Sequence, residues 1–173
     1  MGNVLFVTWD GGGNLPPALG IAQELADRGD QVRFLGHEQQ RHAVESAGFA
    51  FTPYTHARPW SATAPVSNLR GALRYFAMFT DRGPGRDLLQ LFARDGADVL
   101  VVDCMSLGAL GAARKLAVPR AVLVHTYYRY LTGAWDRGPI GLLGRLKGLN
   151  PARLWATADR ILVAADPTLD PAG

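Results

Sequence analysis

The most restrictive stretch of this sequence lies near its start. There Val4-Leu5-Phe6-Val7-Thr8 runs into Trp9-Asp10-Gly11-Gly12-Gly13-Asn14-Leu15-Pro16-Pro17 and then into an amphipathic segment, Ala18 to Arg28. A β-branched and aromatic apolar run reads as a buried parallel strand. Three glycines permit a tight turn and close approach of a ligand to the backbone, and a proline in the first helical turn starts a helix. Strand, glycine turn and helix in this order build a ligand crevice.

A dinucleotide fingerprint is the first chemistry such a turn brings to mind, and the spacing rejects it. Gly11 and Gly13 supply its first half, but Pro16 stands where a third glycine should let helix and strand pack closely. No acidic residue ends the second strand at Phe34-Leu35-Gly36, where a ribose would need one.

Strand and helix signals go on alternating downstream. Val32 to Leu35 is a second strand, a helix from Glu38 to Ala47 is ended by Gly48, and Phe49 to Thr52 is a third strand stopped by Pro53. Residues 54 to 68, with His56, Pro59, Trp60 and Pro65, have no regular period and read as a long loop of the kind that contributes to binding sites. Trp60 either lines such a site or plugs the edge of the core. Asn68 is a candidate cap for a helix in which Leu69, Ala72, Leu73, Phe76 and Phe79 share one side and Arg70 and Arg74 the other. Gly83-Pro84-Gly85 is expected to end that helix and Arg86 to Arg94 to form another. Asp98 to Val102 is the strongest strand; it leads through Asp103-Cys104-Met105 into a helix of small residues, Ser106 to Ala117. Arg120 to Val124 delivers His125-Thr126-Tyr127-Tyr128. A glycine-rich irregular stretch, Gly133 to Gly148, and a short helix precede the last strand, Arg160 to Ala165.

This rhythm predicts an α/β fold: a doubly wound, Rossmann-like parallel sheet with helices on both faces and strand order 3-2-1-4-5-6. Ligands bind such sheets beyond the carboxyl ends of the strands where the winding reverses, here strands 1 and 4. Asn14, Asp103 and His125 reach that crevice from distant parts of the chain. Asp103 is equally placed to cap the helix starting near Ser106, and His125 to be a satisfied histidine under the sheet edge. His37, Glu38 and His42 lack metal-ligand spacing and read as surface helix residues, so no metal is expected.

Composition excludes several function classes. The 173 residues are 48% hydrophobic and 19% charged, enough for one domain with a sizeable core and unlike a disordered chain. A net charge of +3, from 18 Lys and Arg against 15 Asp and Glu, is scattered rather than gathered into the basic stripe that nucleic-acid binding needs. The single cysteine, Cys104, precludes an internal disulfide and fits a reducing compartment. No signal peptide, myristoylation start or spanning segment is visible, and a cytoplasmic location is expected.

The turn Gly12-Gly13-Asn14-x-x-Pro17-x-x-x-x-Ala22, the strand ending in Asp103, the segment Leu123-Val124-His125-Thr126 and Ala158-Asp159-Arg160-Ile161-Leu162-Val163 together resemble the N-terminal, acceptor-binding half of a GT-B fold glycosyltransferase. The likeness is to the UDP-glycosyltransferase superfamily, particularly its bacterial natural-product and macrolide branch, and it covers nearly the whole chain. It implies inverting transfer of a sugar from a nucleotide diphosphate donor to a hydroxyl of a hydrophobic small-molecule acceptor. It implies no cofactor, the nucleotide sugar being a co-substrate held mainly by a second domain. The His- and Gly-containing motif of that domain is not found here, so residues 1–173 are expected to be a single acceptor-binding domain, inactive alone. A homodimer is left open.

One departure matters chemically. Most relatives place a histidine at the position of Asn14 to take the acceptor's proton, and an amide is not a base. Asp103 matches the aspartate that in many relatives pairs with that histidine, leaving His125 with Asp103 as the expected proton-transfer pair. The acceptor is expected against Trp9, Gly12, Gly13, Trp60, Phe76, Phe79, Met105, Thr126 and Tyr127. A cysteine or serine hydrolase using Cys104 with His125 is disfavoured, because Asp103-Cys104-Met105-Ser106-Leu107-Gly108 is no nucleophile elbow. A binding module that captures a small molecule or a partner without turning anything over stays open.

Overall fold

The computed structural model describes residues 1–62 and 69–170; Pro65 and the candidate cap Asn68 lie outside the described residues. Six strands, β1 (Asn3–Val7), β2 (Gln31–Gly36), β3 (Ala50–Pro53), β4 (Val99–Asp103), β5 (Arg120–Val124) and β6 (Arg160–Val163), form one sheet in the order β3-β2-β1-β4-β5-β6. Every pair is parallel. The register aligns Val7 with Leu35 on one side and Val102 on the other, so β1, β2 and β4 end at nearly the same level.

Both faces of such a sheet must be covered, because its central strands carry consecutive apolar residues, Val4 to Val7 and Val99 to Val102. Val4, Phe6, Phe34, Val101 and Leu123 pack to one side with Ala18 and Ala22 of helix α1 (Leu15–Asp27) and Val44 of α2 (Arg41–Ser46). Leu5, Val7, Leu35, Leu100, Val102 and Val122 pack to the other, under α3 (Leu69–Phe79), α4 (Gly83–Asp95), α5 (Leu107–Ala113), a short turn α6 (Tyr128–Tyr130), α7 (Pro139–Leu146) and α8 (Pro151–Ala156). The predicted fold class and strand order are those observed.

Local expectations need correction at several places. Gly83-Pro84-Gly85 opens α4 instead of terminating α3: Pro84 sits in the first turn and Asp81 Oδ1 accepts the Gly83 N–H at 3.0 Å. The stretch 133–148 is largely helical, holding most of a π-type turn, Leu131–Trp135, and all of α7. There Gly141 lies so close to the Asp136 carbonyl that any side chain would collide with it, so glycine marks close packing and not irregularity. Strand β3 includes Pro53 rather than stopping before it, and the helix after β4 ends at Ala113. Glu38 and His42 are exposed as expected, whereas His37 is only 6% exposed.

Helices α4 and α5 meet at unusually short range. A Cβ on Gly108 would overlap the Asp81 carbonyl oxygen, and one on Gly85 would overlap that of Gly108 and lie 2.9 Å from Ala112 Cβ. Neither glycine has a positive φ, so what they provide here is room. No helix among the described residues is long and apolar enough to cross a membrane.

Candidate active site

The carboxyl ends of β1, β4 and β5 carry Trp9, Asp103 and His125 into one crevice, and the glycine turn returns Asn14 to it. Gly12 takes φ 77°, a left-handed conformation that glycine adopts without cost. Gly11 must lack a side chain because a Cβ there would lie 2.8 Å from both Asn14 Oδ1 and the Trp9 ring. The turn therefore folds inward: Asn14 is 1% exposed, its Oδ1 accepting the Gly11 N–H at 3.1 Å and its Nδ2 donating to the Trp9 carbonyl at 2.9 Å.

Asp103 is the hub. Its Oδ1 accepts Trp9 Nε1–H at 3.0 Å and the Met105 N–H at 2.9 Å, and its Oδ2 accepts Asn14 Nδ2–H at 2.8 Å. His125 Nδ1 lies 3.1 Å from that same Oδ2. A carboxylate 2% exposed is tolerable only with such a set of donors, since an uncompensated buried charge costs several kcal/mol. Burial alone would lower the His125 pKa; the charge of Asp103 and its hydrogen bond act against that and hold the imidazole above its usual 6.5. With Nδ1–H turned to Asp103, the other ring nitrogen, Nε2, keeps its lone pair and is the basic atom of the site.

Cys104 contributes little nucleophilicity. Burial pushes its thiol well above the ordinary value, and its Sγ is 3.8 Å from His125 Nδ1. Asp103, Cys104 and His125 place three metal-ligand atoms within 4.8 Å of one another, but a cation there would displace the N–H donors that both Asp103 oxygens already accept.

The proposed acceptor residues divide by exposure. Trp9 (4%), Phe79 (1%) and Met105 (8%) are buried, the rings of Trp9 and Phe79 meeting edge to face at 5.3 Å. They back the crevice wall and give it stiffness. Trp60 and Phe76 are half-buried, Thr126 likewise, while Gly12, Gly13 and Tyr127 are exposed at the mouth. Trp60 is seated by donating Nε1–H to the Asp10 carbonyl at 2.8 Å and packs against Tyr75 at 5.6 Å. A cavity of about 300 Å³ opens beside it, lined by Arg58, Pro59, Trp60, Arg74, Ala77 and Met78.

Sequence reasoning missed the residues that brace this wall. Gln40, 3% exposed, donates to the Trp9 carbonyl at 3.0 Å and accepts from Thr8 Oγ1 and the His37 N–H. His37 Nδ1 accepts the Asp10 N–H at 3.1 Å, and burial lowers its pKa; its ring also bonds the Arg58 backbone, tying the first turn to the loop of Trp60. Tyr54 donates to the Thr8 carbonyl at 2.7 Å, its phenol pushed well above the usual value by burial and then by the charge of Asp103. All three follow the carboxyl ends of β2 and β3, which was the signal available.

No protein-family model matches the chain. Over 164 residues it is 29% identical to a 4'-demethylrebeccamycin synthase of Lentzea aerocolonigenes, covering 83% of this chain and 38% of that protein. Among solved structures it superposes on the glycosyltransferase of kitacinnamycin (TM-score 0.71, 22% identity, 99% of this chain and 48% of that one). It does so also on a calicheamicin glycosyltransferase (0.69, 17%, 99% and 50%) and on a spinosyn rhamnosyltransferase complexed with spinosyn aglycone (0.65, 18%, 97% and 46%). The chain thus has the fold of the N-terminal Rossmann-like half of GT-B glycosyltransferases, and it spans about half the length of the solved structures it matches and less of the curated relative.

Proposed function

We propose, from that half-fold, that this chain is the acceptor-binding part of an inverting glycosyltransferase, moving a sugar from a nucleotide diphosphate donor to a hydroxyl of a hydrophobic small molecule. A separate donor domain would hold the nucleotide sugar, and no cofactor is required. The observation that carries the reading is the 3.1 Å approach of His125 Nδ1 to the buried Asp103 carboxylate within the crevice.

In this mechanism His125 Nε2 removes the acceptor hydroxyl proton while the oxygen attacks the anomeric carbon of the sugar. The nucleoside diphosphate leaves from the opposite face with the electron pair of the broken bond, and the configuration inverts. Asp103 stabilises the imidazolium that forms and fixes the tautomer with Nε2 unprotonated. Asn14, held to Asp103 and to the turn, positions this carboxylate and takes no proton. Trp60, Phe76 and Tyr127 supply apolar area for the acceptor beside the crevice.

The test joins the chain to a related donor domain and compares turnover in His125→Ala, Asp103→Asn and Asn14→His. Both of the first two should lose at least about tenfold in kcat with little change in acceptor binding, because a lost base weakens the transition state far more than the ground state. Full activity in His125→Ala removes its claim to be the base. An amide in the family's base position is the observation favouring the second reading, a non-catalytic acceptor-binding module; absence of turnover in every fused form, Asn14→His included, with acceptor binding intact would select it.

A further inference from the structure

On the helical layer lies a groove of about 460 Å³ that the reaction does not use, between α4, α5 and the segment joining α7 to α8. Its floor is apolar, with Leu89, Leu149 and Leu154 among small residues of α4 and α5. Its rim carries Arg82, Arg86, Arg114 and Lys115, all exposed, and no acidic side chain lines it. In a chain with 18 cations against 15 anions this is a local excess, not the average surface. Among the described residues Arg86, Arg114 and Lys115 have no carboxylate within ion-pair distance; Arg82 reaches only the Lys147 carbonyl at 2.5 Å. Asp81, next to the rim in sequence, is engaged elsewhere, accepting the Gly83 and Arg58 N–H groups at 3.0 and 2.7 Å.

We propose that this groove is a docking site for an acidic, leucine-bearing amphipathic helix of a partner protein. Charge and shape choose the occupant. Four unpaired cations attract and orient carboxylates, while the floor between two helices suits apolar side chains projecting from a third. Nucleic acid is the poorer fit, because no aromatic side chain lines the groove to stack a base.

A fluorescein-labelled 18-residue peptide with leucines on one helical face and glutamates on the other is the probe. We expect fluorescence anisotropy to give a Kd on the order of 10–100 μM at low salt, weakening as salt screens the rim. Amide shifts in the NMR spectrum should centre on Gly85, Gly108, Gly111 and Gly148. Arg114→Glu with Lys115→Glu, both on exposed side chains, should weaken binding at least about tenfold while the circular dichroism spectrum stays unchanged. A scrambled peptide of the same composition should bind more weakly than the amphipathic one. The proposal is overturned by any of three results: no peptide binding up to about 1 mM, binding that survives the charge reversal, or an oligonucleotide of equal charge binding as tightly as the peptide.

Discussion

Asn14 Nδ2 donates to Asp103 Oδ2 over 2.8 Å, joining the first turn of the chain to the end of the fourth strand inside a site where both residues are all but fully buried. Three of the four protein contacts to this carboxylate come from neutral N–H groups, so its charge is stabilised by dipoles and by His125 together. The amide at position 14 gives the carboxylate direction and leaves the proton chemistry to the imidazole.

Replacing that amide by a second carboxylate should expose the arrangement. Asn14→Asp puts two buried acids in contact, and we expect it to cost about 3–5 kcal/mol in urea unfolding at pH 7, a loss partly recovered at acid pH when one of them protonates. Asn14→Ala, which leaves the Gly11 N–H and the Trp9 carbonyl without their partner, should cost about 1–3 kcal/mol. Equal effects of the two variants would show that charge plays no part.

His125 should titrate above 6.5, and in Asp103→Asn its pKa should drop below 6.5, because burial then acts without the neighbouring charge. NMR titration of the ring protons reads both. A folded-state pKa raised above the unfolded one means that the stabilisation from the charged pair is fully present below about pH 6.5 and is lost as pH rises through the folded value. In the fused enzyme, kcat should rise over that same interval as the base loses its proton. A pH profile unmoved by Asp103→Asn would disconnect the two residues.

His37 should act in the opposite sense. Its folded pKa is lowered by burial, so the folded state binds fewer protons than the unfolded one, and its contribution is present above about pH 6.5 and is lost as pH falls below it. Protonation also removes the Nδ1 lone pair that accepts the Asp10 N–H. We expect the urea midpoint of the wild type to fall more steeply between about pH 6.5 and 5 than that of His37→Asn, which can accept the same bond without titrating.

Gly108→Ala should be far more damaging than an exposed-helix substitution. The added methyl meets the Asp81 carbonyl, a backbone atom that cannot step aside, and we expect a loss of at least about 3 kcal/mol or failure to fold. Gly20→Ala on α1, where a Cβ would meet nothing within 4 Å, is the matched control and should be neutral or stabilising by up to about 1 kcal/mol. A similar cost at both positions would mean that α5 packs against the turn before α4 more loosely than its geometry.

The sheet was legible because its information is local. Val4 to Val7 and Val99 to Val102 are apolar at successive positions, which only a strand covered on both faces can use, and alternation with helices then leaves few orders to choose from. Helix α4 was misjudged at Gly83 because proline and glycine break helices from inside and begin them from outside, and the carboxylate that accepts the Gly83 N–H, that of Asp81, lies before the signal. The crevice was placed by topology, which brought Asn14, Asp103 and His125 together. What joins them was not readable: that Trp9 donates to Asp103, or that Phe79 lies behind Trp9 with 1% of its surface exposed, depends on rotamers fixed by packing. Gln40 escaped notice because nothing in a glutamine's sequence context reveals that its amide will be buried beside two backbone groups and a threonine.

The two outermost strands of the sheet, β3 and β6, are four residues long, and β3 ends on Pro53, which has no N–H to offer. Edges this short make poor templates for adding a strand from a neighbouring molecule. The native state is therefore protected from growing into fibrils sideways, and aggregation of this protein on heating should wait for unfolding, appearing only above the melting temperature instead of creeping in from the folded ensemble.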